Sequence, residues 1–186
     1  QEIKSLGYFG RRINGQPEKT IVIAGGAKVS DKIDTLKQFV ETGIKAIFIG
    51  GKMVNTFLLA NKIKLENKTF DLENIPTTLL SESNEINNNL VNEVSLARKI
   101  LDFAEKKEVN FIFPNDYKCV NSFKASTFFI KTEPDFNKEI QLDLGPKTIE
   151  NLKKMICSGD IKNVFWNGPL GAYDHPTNHN YAEGSL

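Results

Sequence analysis

Short apolar runs, each closed by a glycine or proline, recur along this chain with helical stretches between them. They are "TIVIA" (Thr20–Ala24) before Gly25 and Gly26, "AIFI" (Ala46–Ile49) before Gly50 and Gly51, "NFIF" (Asn110–Phe113) before Pro114, and "NVFW" (Asn163–Trp166) before "NGPLG". All four are rich in Val, Ile and Phe and do not alternate cleanly with polar residues, which predicts strands covered on both faces. Elsewhere the apolar spacing is helical. Ile33, Leu36, Phe39 and Val40 share one face, as do Val94, Ala97, Ile100, Leu101 and Ala104, and then Ile149, Leu152, Met155 and Ile156. Strand and helix in alternation predict a doubly wound, Rossmann-like parallel sheet in a three-layer α/β/α arrangement. Ligands of such sheets bind beyond the carboxyl ends of the strands, where these glycine loops fall.

Two stretches break the rhythm. Residues 61–92, "NKIKLENKTFDLENIPTTLLSESNEINNNLVN", are poor in periodicity and rich in Asn, Glu and Ser, and read as a surface excursion, mobile around "SNEINNN". The stretch "CVNSFKASTFFIKTEPDFNKEIQLDLGP" (Cys119–Pro146) reads as short strands and turns, a small antiparallel elaboration.

Composition narrows the function classes. With 186 residues and 40% hydrophobic content the chain can bury a core, most simply as one domain. Lys and Arg number 24 against 23 Asp and Glu, a net charge of +1, so no global basic field attracts nucleic acid or an anionic membrane. No apolar run approaches the roughly 20 residues of a membrane span, and "QEIKSLGYFGRRINGQPEK" lacks the apolar centre of a secretory signal. Cys119 and Cys157 stand far apart in apolar company, which argues against a disulfide framework or a Cys-based zinc site. His175 and His179 are four apart, but Pro176 interrupts them and no third ligand is near, so no metal role is expected. Trp166 and the phenylalanines are expected in the core rather than as a base-stacking platform.

Chemistry is concentrated in two loops. In "IVIAGGAKVSDKIDTL" (Ile21–Leu36) a strand gives way to a helix through Gly25 and Gly26, with Lys28 and Lys32 four residues apart. Glycines let backbone amides approach a ligand, Ser30 can cap the following helix, and two ammonium groups over a helix start suit a dense anion. The spacing matches neither GxxxxGK[ST] nor GxGxxG, and two surface lysines at a solvated helix start would look the same. In "WNGPLGAYDHP" (Trp166–Pro176), Asn167 follows a strand, Gly168, Pro169 and Gly171 shape a turn, and Asp174 offers a carboxylate suited to sugar hydroxyls. An Asn-capped tight turn is the plain alternative.

Four segments in order resemble the signatures of phosphoglycerate kinase: "GGAKVSDKI" (Gly25–Ile33), "IGGKMVNTFL" (Ile49–Leu58), "LDLGPKTI" (Leu142–Ile149) and "VFWNGPLGAYD" (Val164–Asp174). "YAEGS" (Tyr181–Ser185) resembles the segment that follows there. The resemblance implies most of that family's C-terminal, nucleotide-binding domain, an incomplete single domain. Residues 1–19 would be the tail of the interdomain helix and linker, residues 20–186 the partial domain, and residues near 61–92 an Asn-rich insertion. It implies reversible phosphoryl transfer between 1,3-bisphosphoglycerate and ADP, giving 3-phosphoglycerate and ATP. By resemblance Lys28 and Lys32 contact the nucleotide phosphates and the transferring group, with Lys32 the better candidate for stabilising transition-state charge. Gly26, Ala27 and Asp31 belong to the same loop. Gly50 and Gly51 let base and ribose lie on backbone, Leu142 walls the base pocket, Asn167 lies near the phosphates, Gly168 belongs to the nucleotide-binding residues, and Asp174 stands where the ribose hydroxyls are held. Mg2+ would arrive with ATP or ADP, its usual protein ligand lying in a Gly-Gly-Gly-Asp loop beyond these residues.

The expected partners are ATP/ADP and, through a domain before Gln1, the phosphoglycerate. A monomer without nucleic-acid or membrane partners is expected, cytoplasmic or an organellar copy whose targeting segment would precede Gln1. These 186 residues alone are expected to have negligible turnover. Three departures from the family pattern stand in the site: Lys52 for a third glycine, Gln141 for a glycine, and Asp174 for a glutamate. They keep open a divergent, non-catalytic nucleotide-binding module. An unrelated nucleotide-linked oxidoreductase would need a GxGxxG turn that neither loop has.

Overall fold

The computed structural model describes residues 15–65, 84–125, 127–134, 138–173, 181 and 183–185. The four apolar runs form one parallel sheet: β1 (Thr20–Ala24), β2 (Ala46–Ile49), β3 (Asn110–Ile112) and β7 (Asn163–Asn167), in the order β3-β2-β1-β7. β1 pairs with β2 from Ile21 opposite Ala46 to Ala24 opposite Ile49, and with β7 from Thr20 opposite Asn163 to Ala24 opposite Asn167. All five residues of β1 are buried, as a strand covered on both faces requires.

Side-chain alternation assigns the two faces. Val22, Ala24, Ile47 and Ile49 join one core with α1 (Ile33–Thr42), α2 (Val54–Leu65) and α3 (Asn84–Lys106). Ile21, Ile23, Ala46 and Phe48 join the other with α4 (Pro146–Ile156). This is the three-layer, doubly wound α/β architecture. The three helical faces read from sequence become α1, α3 and α4, and Leu36, Val40, Val94, Ala97 and Leu152 are buried in them.

The stretch after β3 is an antiparallel sheet in the order β5-β4-β6, formed by β4 (Tyr117–Val120), β5 (Phe129–Lys131) and β6 (Ile140–Leu144). It begins two residues before Cys119, because Tyr117 and Lys118 pair with Leu144 and Asp143. Helix α2 has no strong amphipathic signal because it is apolar on several sides. The segment 61–92 is helical at both ends, in α2 to Leu65 and in α3 from Asn84; its centre, residues 66–83, lies outside the described residues. The polar Asn and Glu of "NEINNN" obscured a helix whose packing is supplied further along, at Val94 and Ala97. Trp166 is 42% exposed, its indole N–H donating to the Gly168 carbonyl at 2.9 Å. It is therefore not a core residue. Cys119 is buried but Cys157 is exposed, and both are free thiols.

Candidate functional site

Successive connections carry the sheet from β1 through β2 to β3, whereas β7 pairs on the opposite side of β1. The direction of winding reverses between β1 and β7, and the ligands of such sheets bind in the crevice beyond the carboxyl ends of the strands at that switch point. Into it run the loop after β1, with Gly25, Gly26, Lys28 and Lys32, and the loop after β7, with Asn167 and Gly168.

Backbone contacts lock these loops together. Gly25 N–H donates to the Asn167 carbonyl at 2.9 Å, Met53 N–H to Gly26 at 3.0 Å, and Gly51 N–H to Leu170 at 3.2 Å. The glycines are there for this contact. A Cβ at Gly25 would run into the Pro169 carbonyl oxygen, and one at Gly51 would lie 2.6 Å from Gly26 N and O. Gly51 has φ +66 and Gly168 φ +94, so both also need the left-handed region that glycine enters freely. Gly50 is buried against Leu170. Gly50 and Gly168 thus pack loop on loop, and neither is among the residues that line the cavity beside these loops. At Gly26 only Lys32 Cε, at 3.5 Å, lies near the missing Cβ.

Beside the locked loops is a cavity of about 590 Å³, within the size of small-molecule sites. Gly26, Ala27 and Gly51 form one wall and Leu142, Ile140 and Phe123 another. Of the residues singled out from sequence, Gly26, Ala27, Gly51 and Leu142 line it. Lys32 and Asn167 meet at 2.5 Å, ammonium to side-chain oxygen, across 135 residues of sequence. Lys28 and Asp31 are exposed on the loop surface and do not line the cavity. Asp174, His175 and His179 lie outside the described residues. Phe123, 49% exposed, lies in the cavity wall against the core placement read from sequence. No local pattern marks it, because the antiparallel sheet brings it there. Both departures, Lys52 and Gln141, line the cavity, as does Asn55. The Asn55 and Gln141 side-chain oxygens are buried with no hydrogen-bond partner among the described residues. Stranded acceptors of this kind cost about 1–3 kcal/mol each.

The helix start departs from expectation. Ser30 does not cap it: α1 begins at Ile33 with Lys32 as N-cap and no side-chain cap. The Ser30 and Val29 amides instead donate to Glu93 Oε2 on α3, at 3.1 and 2.6 Å. At α4, similarly, the buried Asp116 carboxylate accepts from the Lys147 and Thr148 amides at 3.1 and 2.8 Å. A carboxylate remote in sequence thus takes first-turn helix amides at α4, and amides of the loop that precedes α1.

Behind the cavity the short 3-10 turn Glu183–Ser185 holds the loop after β7 through Leu170 N–H to Ser185 Oγ at 2.9 Å. The turn is itself held by Gly184 N–H to Asp143 Oδ2 at 3.0 Å and by the Lys118–Glu183 ion pair. Burial pushes the Asp143 carboxyl up from 3.8 to about 6, against the opposing pull of the Gly184 and Leu144 amides and Lys118. A carboxyl with a raised folded pKa binds its proton more tightly in the folded state, so its contribution to stability falls as pH rises from 3.8 to about 6. The melting temperature of Asp143→Asn relative to the unsubstituted protein should therefore climb across that window. A difference that stays flat with pH would contradict the burial effect.

The family model described as phosphoglycerate kinase matches residues 2–186. The chain belongs to the phosphoglycerate kinase family. It is 33% identical to the phosphoglycerate kinase of Plasmodium falciparum (isolate 3D7), covering 98% of this chain and 39% of that protein. It is also 33% identical to the cytosolic phosphoglycerate kinase of Trypanosoma congolense, covering 92% of this chain and 36% of that protein. The chain thus spans well under half the length of these relatives. Among solved structures, the Coxiella burnetii phosphoglycerate kinase superposes with a TM-score of 0.69 at 22% identity, over 98% of this chain and 41% of that one. The Pyrococcus horikoshii enzyme gives 0.68 at 20% identity. These two likenesses establish the fold. Phosphoglycerate kinase family membership agrees with the four ordered motifs, three of which converge on this crevice: the loops after β1, β2 and β7.

Proposed function

We propose that the complete protein is a phosphoglycerate kinase, a phosphotransferase with a carboxyl acceptor. It would reversibly move a phosphoryl group between 1,3-bisphosphoglycerate and ADP to give 3-phosphoglycerate and ATP. This chain would supply the ATP/ADP side, and a domain outside it the phosphoglycerate side. The observation that carries the reading is the Lys32–Asn167 contact at the switch point of the sheet, next to a cavity with an apolar wall. Phosphoryl transfer asks little covalent chemistry of a protein. It asks for alignment of the reacting oxygens and for positive charge where negative charge spreads.

In this reading the base enters between the Gly26–Gly51 wall and Leu142, and the phosphates extend toward Lys32, with Lys28 on the outer rim. Asn167 holds one hydrogen of the Lys32 ammonium group and leaves two to face phosphoryl oxygens. Among the described residues no cluster of three or more His, Cys, Asp and Glu is placed to hold a metal ion. Mg2+ would come with the nucleotide, bound to its phosphates. Among the described residues no helix is long and apolar enough to cross a membrane. Relatives named cytosolic and glycosomal both occur, and a cytoplasmic location is the reading adopted.

A second reading, a non-catalytic nucleotide-binding module, is favoured by Lys52 and Gln141 in the cavity wall. A coupled assay of the complete protein separates the two. ATP formation from 1,3-bisphosphoglycerate and ADP supports the kinase. MgADP binding by calorimetry without turnover supports the module, and the absence of both removes the nucleotide reading.

A further inference from the structure

We propose that Glu93, on α3, is a positioning residue for the lysine-bearing loop; the inference rests on the kinase reading above. One oxygen of its carboxylate accepts two successive backbone amides, Val29 at 2.6 Å and Ser30 at 3.1 Å, from 64 and 63 residues away. Val29 is the pivot of the loop. Its side chain is fully buried in the same core as Val94, the neighbour of Glu93 on α3. Its carbonyl accepts the Lys32 amide at 2.9 Å. The residue is therefore fixed at three points: amide on Glu93, side chain in the core, carbonyl on Lys32. Lys28 precedes it directly, and Lys32 is tied to it through that carbonyl. The direction in which both lysines leave the backbone is set by how Val29 is held.

Two consecutive amides facing one way also form an anion-binding concavity. Glu93 fills it from within the fold. Any phosphate drawn to this loop is then left to the lysine side chains and Asn167 rather than to the amides behind them. Without Glu93 the two donors would be open, the loop free to turn about Val29, and a second, unproductive anion position available. Misplacement of catalytic groups by about 1 Å can cost roughly a hundredfold in rate.

The test is kinetic and structural, on the complete protein. Glu93→Ala should lower kcat roughly ten- to a hundredfold while KM for the nucleotide changes less. Glu93→Gln, which keeps a carbonyl oxygen able to accept both amides, should recover most of the loss. Amide hydrogen exchange at Val29 and Ser30 should accelerate in Glu93→Ala and stay protected in Glu93→Gln. If Glu93→Ala does not fold, Glu93→Asp, one methylene short of both amides, takes its place with the same expectations. Wild-type kcat in the Ala or Asp variant overturns the proposal, as does unchanged exchange at Val29 and Ser30 or a Gln variant as impaired as Ala. Protected amides in an unsubstituted protein that shows no turnover would count against the kinase reading alone, since the exchange measurement needs no activity.

Discussion

Lys32→Ala in the complete protein is expected to lower kcat by about two to three orders of magnitude while nucleotide affinity falls far less. The size is that of removing one preorganised donor from a developing negative charge. The asymmetry follows from where the interaction is formed. The Lys32 ammonium is held by Asn167 at 2.5 Å, and Lys32 Cε lies 3.5 Å from the place a Gly26 Cβ would occupy. Neither Lys32 nor Asn167 is among the residues lining the cavity, so the cavity wall does not depend on the cation. An interaction made mainly with the transferring group lowers turnover and spares ground-state binding. Steady-state kinetics with MgADP calorimetry decide the matter: equal losses in affinity and turnover, or none in either, would remove Lys32 from the chemistry. Lys32→Arg should rescue poorly, because a planar fork does not reproduce a compact ammonium placed between Asn167 and a phosphoryl oxygen.

Gly25→Ala is expected to be the most damaging small substitution in the crevice. The added methyl would meet the Pro169 carbonyl oxygen and lie 2.6 Å from its carbon and 2.8 Å from the Gly168 oxygen. All three are backbone atoms, so no rotamer change relieves the clash. The loops must separate, and with them the hydrogen bond from Gly25 N–H to Asn167. Overpacking of this kind costs about 1–3 kcal/mol and sometimes more. For a protein domain of this size that corresponds to a drop in melting temperature of about 2–12 °C. Nucleotide binding should weaken too, since the same displacement moves Gly26 and Asn167. Gly15→Ala, with no atom within 4 Å of the added carbon, is the control and should melt close to the unsubstituted protein. A Gly25→Ala protein as stable as that control would mean that the loops are not packed as described.

The four parallel strands were legible to within a residue, from "TIVIA", "AIFI", "NFIF" and "NVFW", and so were the buried faces of α1, α3 and α4. These are properties of short windows: a run of β-branched and aromatic residues, an apolar period, a glycine stop. Helix α2 and the start of α3 were not legible, because the first is apolar on several sides and the second opens on polar residues whose partners lie later in the chain. The site was legible in part. Motifs located Gly26, Lys32 and Asn167, but not which glycines line the cavity and which only meet another loop.

By itself the sequence determined the parallel strands, the buried faces of three helices, the carboxyl-end glycine loops and the family, since each is written in residues close together or in motifs kept in order. The tertiary structure alone decided that β7 sits beside β1, that Lys32 reaches Asn167, that Glu93 rather than Ser30 takes the loop amides, and that Phe123 walls the cavity. The physical reason is the range of the interactions. Helix and strand periods arise between residues a few positions apart. Strand order and a contact across 135 residues depend on which side of the sheet each element packs, and no local window carries that choice.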